Sequence, residues 1–162
     1  MSAFPCRIGQ GFDVHQLVPD RPLILGGAEI EHHLGLKGHS DADVLIHAIC
    51  DAVLGAFALG DLGKWFPDND PKYKNIDSTL LLKEILQSDE LSDWQLVNLD
   101  TTIVAQQPKL APHVDNMRQN LASLFQSDIS QVSVKATTSE KLGFTGREEG
   151  ISAQAIVLFS KS

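Results

Sequence analysis

Residues 6–15 read Cys6-Arg7-Ile8-Gly9-Gln10-Gly11-Phe12-Asp13-Val14-His15, and this stretch decides the fold. It predicts a strand. On a strand the side-chain period is two, so Asp13 and His15, at i and i+2, share one face. His47 lies further on, in an apolar stretch that reads as a helix, and it can supply a third ligand from across the fold. One Asp and two His are one protein ligand short of a closed tetrahedral zinc site, and sites with an open position are the catalytic ones. The mixed oxygen and nitrogen set also suits Fe(II) or Mn(II), so ligand type leaves the metal open.

Outward from this strand, Pro22 to Leu25 and Ala28 to Glu31 flank the turn signal Gly26-Gly27 and predict a small hairpin. Gly35 to Ser40 reads as loop. Asp41 to Leu59 predicts a helix, with Val44, Ile49, Val53, Leu54 and Phe57 as its apolar stripe and Asp41 or Ser40 as its cap. The segment Asp61 to Asp77 is rich in Pro, Gly, Asp and Asn and too long for a plain connector, which marks a functional loop. Helices follow at Asp77 to Gln87 and His113 to Phe125, and strands at Trp94 to Ala105, Gln131 to Ala136 and Ile151 to Ser160. Together these give one α/β unit of α+β type over residues 1–162. Its expected form is a mixed four-stranded sheet with helices on one face and a small N-terminal hairpin. There is no repeat and no linker.

The bulk numbers narrow the function. Of 162 residues, 43% are hydrophobic and 21% charged, values of a folded domain. Net charge is −8, which argues against broad binding to nucleic acid or anionic membranes. It also means that any phosphate site must be built locally from ions, a few cations and backbone N–H groups. Cys6 and Cys50 form no C-x-x-C pair, so a reducing compartment is expected. There is no signal-peptide pattern and no apolar run of about 18 residues. These readings fit a bacterial-type cytoplasmic protein.

Other segments carry chemistry with alternatives. Asp43 and Asp51 stand four residues either side of His47 on one helix face, where an acidic neighbour can fix the imidazole tautomer; they can equally be surface carboxylates. His39-Ser40-Asp41-Ala42-Asp43 is a polar run at a helix start, suited to binding an anion or to capping alone. Thr137-Thr138-Ser139-Glu140 follows a strand and reads as a capping box. It can seat a phosphate, with Glu140 taking a hard ion such as Mg²⁺. Arg147, in a glycine-punctuated loop, can clamp a phosphate or pair with Glu148 or Glu149. Pro108-Lys109 can place a cation beside backbone groups or be only a turn. His32, His33 and His113 read as surface residues.

Taken in order, Arg7–His15, Gly38–Val44 with His47, Leu59–Asp68, Gln107–Lys109 and Val134–Arg147 resemble one family closely. This is the 2-C-methyl-D-erythritol 2,4-cyclodiphosphate synthase family of the non-mevalonate isoprenoid pathway. The resemblance runs from Arg7 to Phe159. It implies a substrate, 4-diphosphocytidyl-2-C-methyl-D-erythritol 2-phosphate, whose 2-phosphate attacks its own β-phosphorus. CMP leaves and a cyclic diphosphate forms. It also implies a homotrimer with active sites between subunits.

By the same resemblance, Asp13, His15 and His47 match zinc ligands, and Glu140 matches the ligand of a second ion, Mg²⁺ or Mn²⁺. His39 and Thr138 match groups that stabilise the transition state. Ser40, Asp61, Gly63, Phe66, Asp68 and Asp70 match the methylerythritol side. Ala105, Pro108, Lys109, Leu110 and Ala111 match a cytidine pocket lent by a neighbouring subunit. Thr137 and Ser139 match diphosphate contacts, and Phe144 and Arg147 lie near substrate and the threefold axis. That axis can enclose an isoprenoid diphosphate. Two departures stand out. Ala42 replaces the usual Gly, which is tolerable if the residue is helical. Ser139 replaces the more frequent Thr. A zinc phosphoesterase that admits water to the same ion, and a trimeric isoprenoid-diphosphate-binding module, are the competing functions. A structural zinc wants four protein ligands, and only three are in register.

Overall fold

The computed structural model describes residues 5–162. The predicted first strand, β1 (Cys6–Val18), runs three residues past His15. It continues because Leu17 and Val18 pair with β4 (Gly35–Leu36), a two-residue edge strand in the segment expected to be loop. The main sheet therefore has five strands rather than four, in the order β4-β1-β7-β5-β6. Here β5 is Trp94–Val104, β6 is Val132–Thr137 and β7 is Gly150–Lys161. It is mixed as expected. β7 runs antiparallel to both β1 and β5, while β5 and β6 are parallel. A shift in register between Leu96 and Asn98 turns Val97 outward. The hairpin forms as β2 (Leu23–Leu25) and β3 (Ala28–Ile30), with Gly26 and Gly27 at positive φ in its turn.

Helices cover one face. α1 (Val44–Ala56) lies on β1 and β7, α4 (Val114–Phe125) on β6, and α3 (Ser78–Leu86) bridges α1 and α4. α1 is apolar nearly all round and central; of its residues only Asp51 and Gly55 are not buried. Its approach to β1 is set by Gly9 and Gly11. A methyl group at either position would overlap the carbonyl of Ala52 or Ala48. The other face of the sheet is uncovered and partly apolar: Ile8, Phe12, Val14 and Ile156 are 69, 50, 42 and 46% exposed.

α1 starts later than the capping residues Ser40 and Asp41 predict. Its N-cap is Asp43, whose carboxylate accepts N–H bonds from Ile46, Gly26 and Gly27 at 3.0, 2.9 and 2.7 Å. The hairpin turn thus decides the cap, through residues far away in sequence. Ala42, just before it, has φ +58° and is buried. It is left-handed rather than helical, which explains why glycine suits this position and why the expectation of an unstrained methyl does not hold.

Candidate metal centre and active-site cleft

Asp13 and His15 lie on the face of β1 that carries Gly9 and Gly11. Because the glycines let α1 rest against the strand, His47 is carried directly over them. Asp13 Oδ2 is 2.9 Å from His15 Nε2 and 3.1 Å from His47 Nδ1, and the two ring nitrogens are 3.0 Å apart. His15 Nδ1 donates to the Lys37 carbonyl at 2.7 Å. A carbonyl has no proton, so in the neutral ring the lone pair is on Nε2 and faces the cluster. His47 Nδ1 faces it too, while its Nε2 meets the hydroxyls of Ser78 and Ser40 at 2.9 and 3.1 Å.

With the His47 proton on Nε2, three acceptor atoms converge with no N–H between them, an arrangement that suits a cation. Tetrahedral ligands at bonds of about 2.0–2.2 Å stand roughly 3.3–3.6 Å apart. The donor set therefore fits a divalent ion after small shifts, and it leaves one position open. The charges agree. Burial pushes the Asp13 carboxyl up, but the hydrogen bonds and charge of His15 and His47 outweigh it and hold it well below the usual range. Burial likewise pushes His15 down, and its bond and charge pairing with Asp13 carry it above the ordinary value. Without a metal, a proton takes the ion's place.

The triad opens into a cleft of about 290 Å³. His39, Ser40, Gly63, Phe66 and Asp68 line it. No Lys or Arg lines it, so it offers a phosphate no fixed cation. His39 Nε2 donates to the Asp70 carbonyl at 3.0 Å. The Asp70 carboxylate caps the short turn after it through Lys72 N, and that of Asp61 caps α2 (Leu62–Trp65) through Lys64 N. Neither Asp61 nor Asp70 lines the cleft. The Ser40 hydroxyl is buried against His47 rather than presented to the opening. Asp43 and Asp51 do not orient the His47 ring. Asp43 is held by the hairpin, and Asp51, on the cleft wall, accepts from Leu62 N at 2.7 Å.

The remaining expected residues gather elsewhere. Val104 pairs with Thr137, and Ala105 N donates to Thr137 O at 3.0 Å. The turn 105–111 and the loop 137–141 therefore form one patch, tied further by Lys141 N to Gln106 Oε1 at 3.1 Å. Thr137, Thr138, Glu140, Lys109 and Ala111 are exposed there, whereas Ala105 and Leu110 are buried; the Gln107-Pro108 peptide is cis. No helix starts at Thr137, which ends β6, so the capping-box reading fails. Instead Glu140 and Lys141 have positive φ, and Glu140 N donates to Thr138 Oγ1. The Ser139 hydroxyl bonds Leu142 O and Thr145 Oγ1, both at 2.7 Å. Phe144 sits exposed on the one-turn helix α5 (Gly143–Gly146). The guanidinium of Arg147 pairs with Glu149 through both oxygens, at 3.1 and 3.2 Å. Of the three histidines read as surface residues, His33 is exposed, while His32 and His113 are half-buried.

Within one chain this patch does not meet the triad. His15 pairs with Ile151, the neighbouring Ser152 with Val104, and Val104 with Thr137. They are separated by three strand spacings, about 14 Å. A larger cavity of about 630 Å³ lies at the other end of the sheet, against the start of β5 and the ends of α3 and α4. Lys83 is its sole charged residue, so it is not the centre of the chemistry. No helix among the described residues is long and apolar enough to cross a membrane.

The geometry of a three-ligand open site is matched by kinship. The model of the YgbB family matches residues 6–160. The chain belongs to the YgbB family. A curated relative from Geobacillus sp. (strain WCH70), named 2-C-methyl-D-erythritol 2,4-cyclodiphosphate synthase, is 61% identical over 155 residues, covering 96% of this chain and 98% of the relative. One of the same name from Syntrophotalea carbinolica is 60% identical over 156 residues, covering 96% and 95%. Among solved structures, the bifunctional IspDF from Campylobacter jejuni superposes with a TM-score of 0.93 at 43% identity; 99% of this chain matches 43% of that longer one. The CDP complex of IspF from Plasmodium falciparum gives 0.85 at 32% identity, with 99% of both chains covered. This YgbB-family chain therefore carries the strand–helix triad in a fold it shares with cyclodiphosphate synthases.

Sequence reasoning missed Ser78 and Lys37. The Lys37 contact is a backbone carbonyl and leaves no mark in side-chain identity. Ser78 follows Asp77 at a helix start and reads as an ordinary capping pair.

Proposed function

We propose that this protein converts 4-diphosphocytidyl-2-C-methyl-D-erythritol 2-phosphate to 2-C-methyl-D-erythritol 2,4-cyclodiphosphate and CMP. The observation that carries this is the open Asp13/His15/His47 site in a cleft without Lys or Arg, on a chain about three-fifths identical to synthases of that name. The CDP complex of a structural neighbour supports a cytidine diphosphate substrate.

Asp13, His15 and His47 would hold Zn²⁺ or another divalent transition metal, and Glu140 a Mg²⁺ or Mn²⁺ on the diphosphate. Ions bound there neutralise phosphate charge and align attacking and leaving oxygens. The nucleophile is already an anionic phosphate oxygen, so the chain's own work is placement. His39, fixed by the Asp70 carbonyl, lines the cleft together with Phe66 and Asp68. Thr137 and Thr138 offer hydroxyls to the diphosphate, and Ser139, whose hydroxyl is held by Leu142 O and Thr145 Oγ1, has to turn from them to join the contact. Ala105, Pro108, Lys109, Leu110 and Ala111 take the cytidine. Binding both ends of one substrate makes the attack intramolecular, worth about 7–11 kcal/mol when geometry is good.

The two groups of residues belong to one site only if neighbouring chains share it. A homotrimer closed through the uncovered sheet face satisfies this, and the exposed Ile8, Phe12, Val14 and Ile156 support it. The cleft of a single chain, about 290 Å³, is small for so large a ligand. The apolar axis of such a trimer is where an isoprenoid diphosphate would fit. The bacterial origin of the curated relatives supports a cytoplasmic location.

Phosphorus NMR of the protein with this substrate, Zn²⁺ and Mg²⁺ tests the reading. Two coupled signals of a cyclic diphosphate, with equimolar CMP, are expected. Inorganic phosphate would instead mean a phosphoesterase. An unchanged spectrum from folded, metal-loaded protein would leave a binding module.

A further inference from the structure

We infer that Asp41 and Ser78 are positioning residues for the metal centre. Together they commit the proton of the His47 ring to Nε2, and so present the Nδ1 lone pair to the ion. This rests on the metal site proposed above, and it assigns a role to two residues that line neither the ion nor the substrate.

The argument is a count of protons. The Ser78 hydroxyl is within hydrogen-bond distance of Asp41 Oδ1, Ser40 Oγ and His47 Nε2, the last at 2.9 Å. A carboxylate can only accept, so Ser78 gives its single proton to Asp41. Its oxygen must then accept from His47, which requires Nε2–H. The opposite tautomer would put Nδ1–H toward Asp13 and leave the Ser78 oxygen facing the Nε2 lone pair at 2.9 Å with no proton between them, unless Ser78 gave up its bond to Asp41. Ser40 cannot decide the matter alone. Its hydroxyl accepts from Ala42 N at 3.1 Å, and its proton is free to turn to either neighbour.

Ser78 is not needed there as a cap or as packing. It is fully buried at the start of α3, where a hydroxyl without a purpose carries a desolvation penalty. The helix is capped by other groups: Asp77 accepts from Thr79 N at 2.8 Å, and Asp41 Oδ2 accepts from Ser78 N at 3.0 Å. The second bond pins Asp41 to the helix start, so the carboxylate is held in place for the hydroxyl. Asp41 also accepts from Asp43 N at 3.1 Å. The pair therefore links the loop 39–43, the start of α3 and the metal-binding ring. Partners of this kind on ligating histidines are worth roughly 10–100-fold in metal affinity.

The test reads the ring itself and the ion. Long-range ¹⁵N–¹H NMR of the zinc-free wild-type protein, well above the ordinary histidine pKa, should show His47 as the Nε2–H tautomer. Zn²⁺ affinity, measured by competition with a chromophoric chelator, should fall roughly 10–100-fold in Ser78→Ala, with the far-UV spectrum unchanged. That variant keeps the backbone bond to Asp41, so helix capping is not disturbed. A folded Ser78→Ala protein with wild-type Zn²⁺ affinity would overturn the inference while leaving the metal centre standing. Nδ1–H in the wild-type spectrum would overturn it as well, even if the variant does not fold. A wild-type protein that takes up no Zn²⁺ would remove both the centre and this role.

Discussion

Two regions near one end of the sheet, beside β1 and beside β6, carry polar residues in opposite states. Beside β1, Asp13, His15, His47, Ser40 and Ser78 are wholly or partly buried and bonded to one another across β1, α1 and α3. Beside β6, Thr137, Thr138, Glu140 and Lys109 are exposed, and the hydroxyls of Thr137, Thr138 and Ser139 bond only to near neighbours in sequence, between residues 138 and 145. The first region is complete within a chain; the second, in the function proposed above, is half of a site that a neighbouring chain completes. The difference teaches where precision is stored. A metal centre needs several donors fixed to tenths of an ångström, which a strand and a packed helix supply. Loops that hold a flexible diphosphate and a base can be rigidified by the ligand and a second chain.

The largest effect should come from the β1 side. His47→Ala removes a ligand and should cut kcat by at least about 100-fold and abolish stoichiometric zinc, while size-exclusion chromatography shows an unchanged assembly. Wild-type turnover in metal-depleted His47→Ala protein would break the comparison.

Next comes Asp43, which fixes the helix that carries His47. Burial pushes its carboxyl up to about 6, against the N–H bonds of Gly27, Ile46 and Gly26. The folded pKa lies above the unfolded one, so its contribution to stability is present at low pH and lost as pH rises. The stability of wild type minus that of Asp43→Asn should therefore fall between about pH 4 and pH 6, by up to about 3 kcal/mol. Chemical denaturation of both proteins with a chelator present measures it. A difference that does not change with pH would mean that the N–H bonds hold the charge throughout.

How much of this was legible follows the same division. Asp13 and His15 share a face because strand periodicity is local, and His47 lies on a helix that composition alone reveals. The order of four long strands and the hairpin turn at Gly26-Gly27 could be read from sequence as well. What escaped was set by distant partners. The start of α1 depends on hairpin N–H groups, the fifth strand on pairing with Leu17 and Val18, and the left-handed Ala42 on the chain entering that cap. On the β6 side the residues were legible from the family pattern, but the capping box was not real. Thr137 and Glu140 have the right spacing, yet the chain turns through two positive-φ residues instead of entering a helix.

Smaller effects sharpen the contrast. Glu140→Gln should raise the Mg²⁺ concentration needed for half-maximal activity roughly tenfold and leave bound zinc unchanged. A loss of zinc would mean that the two ion roles are exchanged. Ala42→Gly relieves a left-handed alanine but loses a buried methyl and adds unfolded-state entropy. Its net effect on stability should stay within about 1 kcal/mol, read from the denaturation midpoint.

The most direct test of a site shared between chains is complementation in mixed trimers. His47→Ala and Thr138→Ala chains, each inactive alone, are unfolded together in equal amounts and refolded with Zn²⁺ and Mg²⁺. If each site takes its metal half from one chain and its hydroxyl half from the next, about a quarter of the sites in random trimers join two intact halves. Activity should then return to about a quarter of wild type. A mixture as inactive as its two components would contradict a site built between subunits.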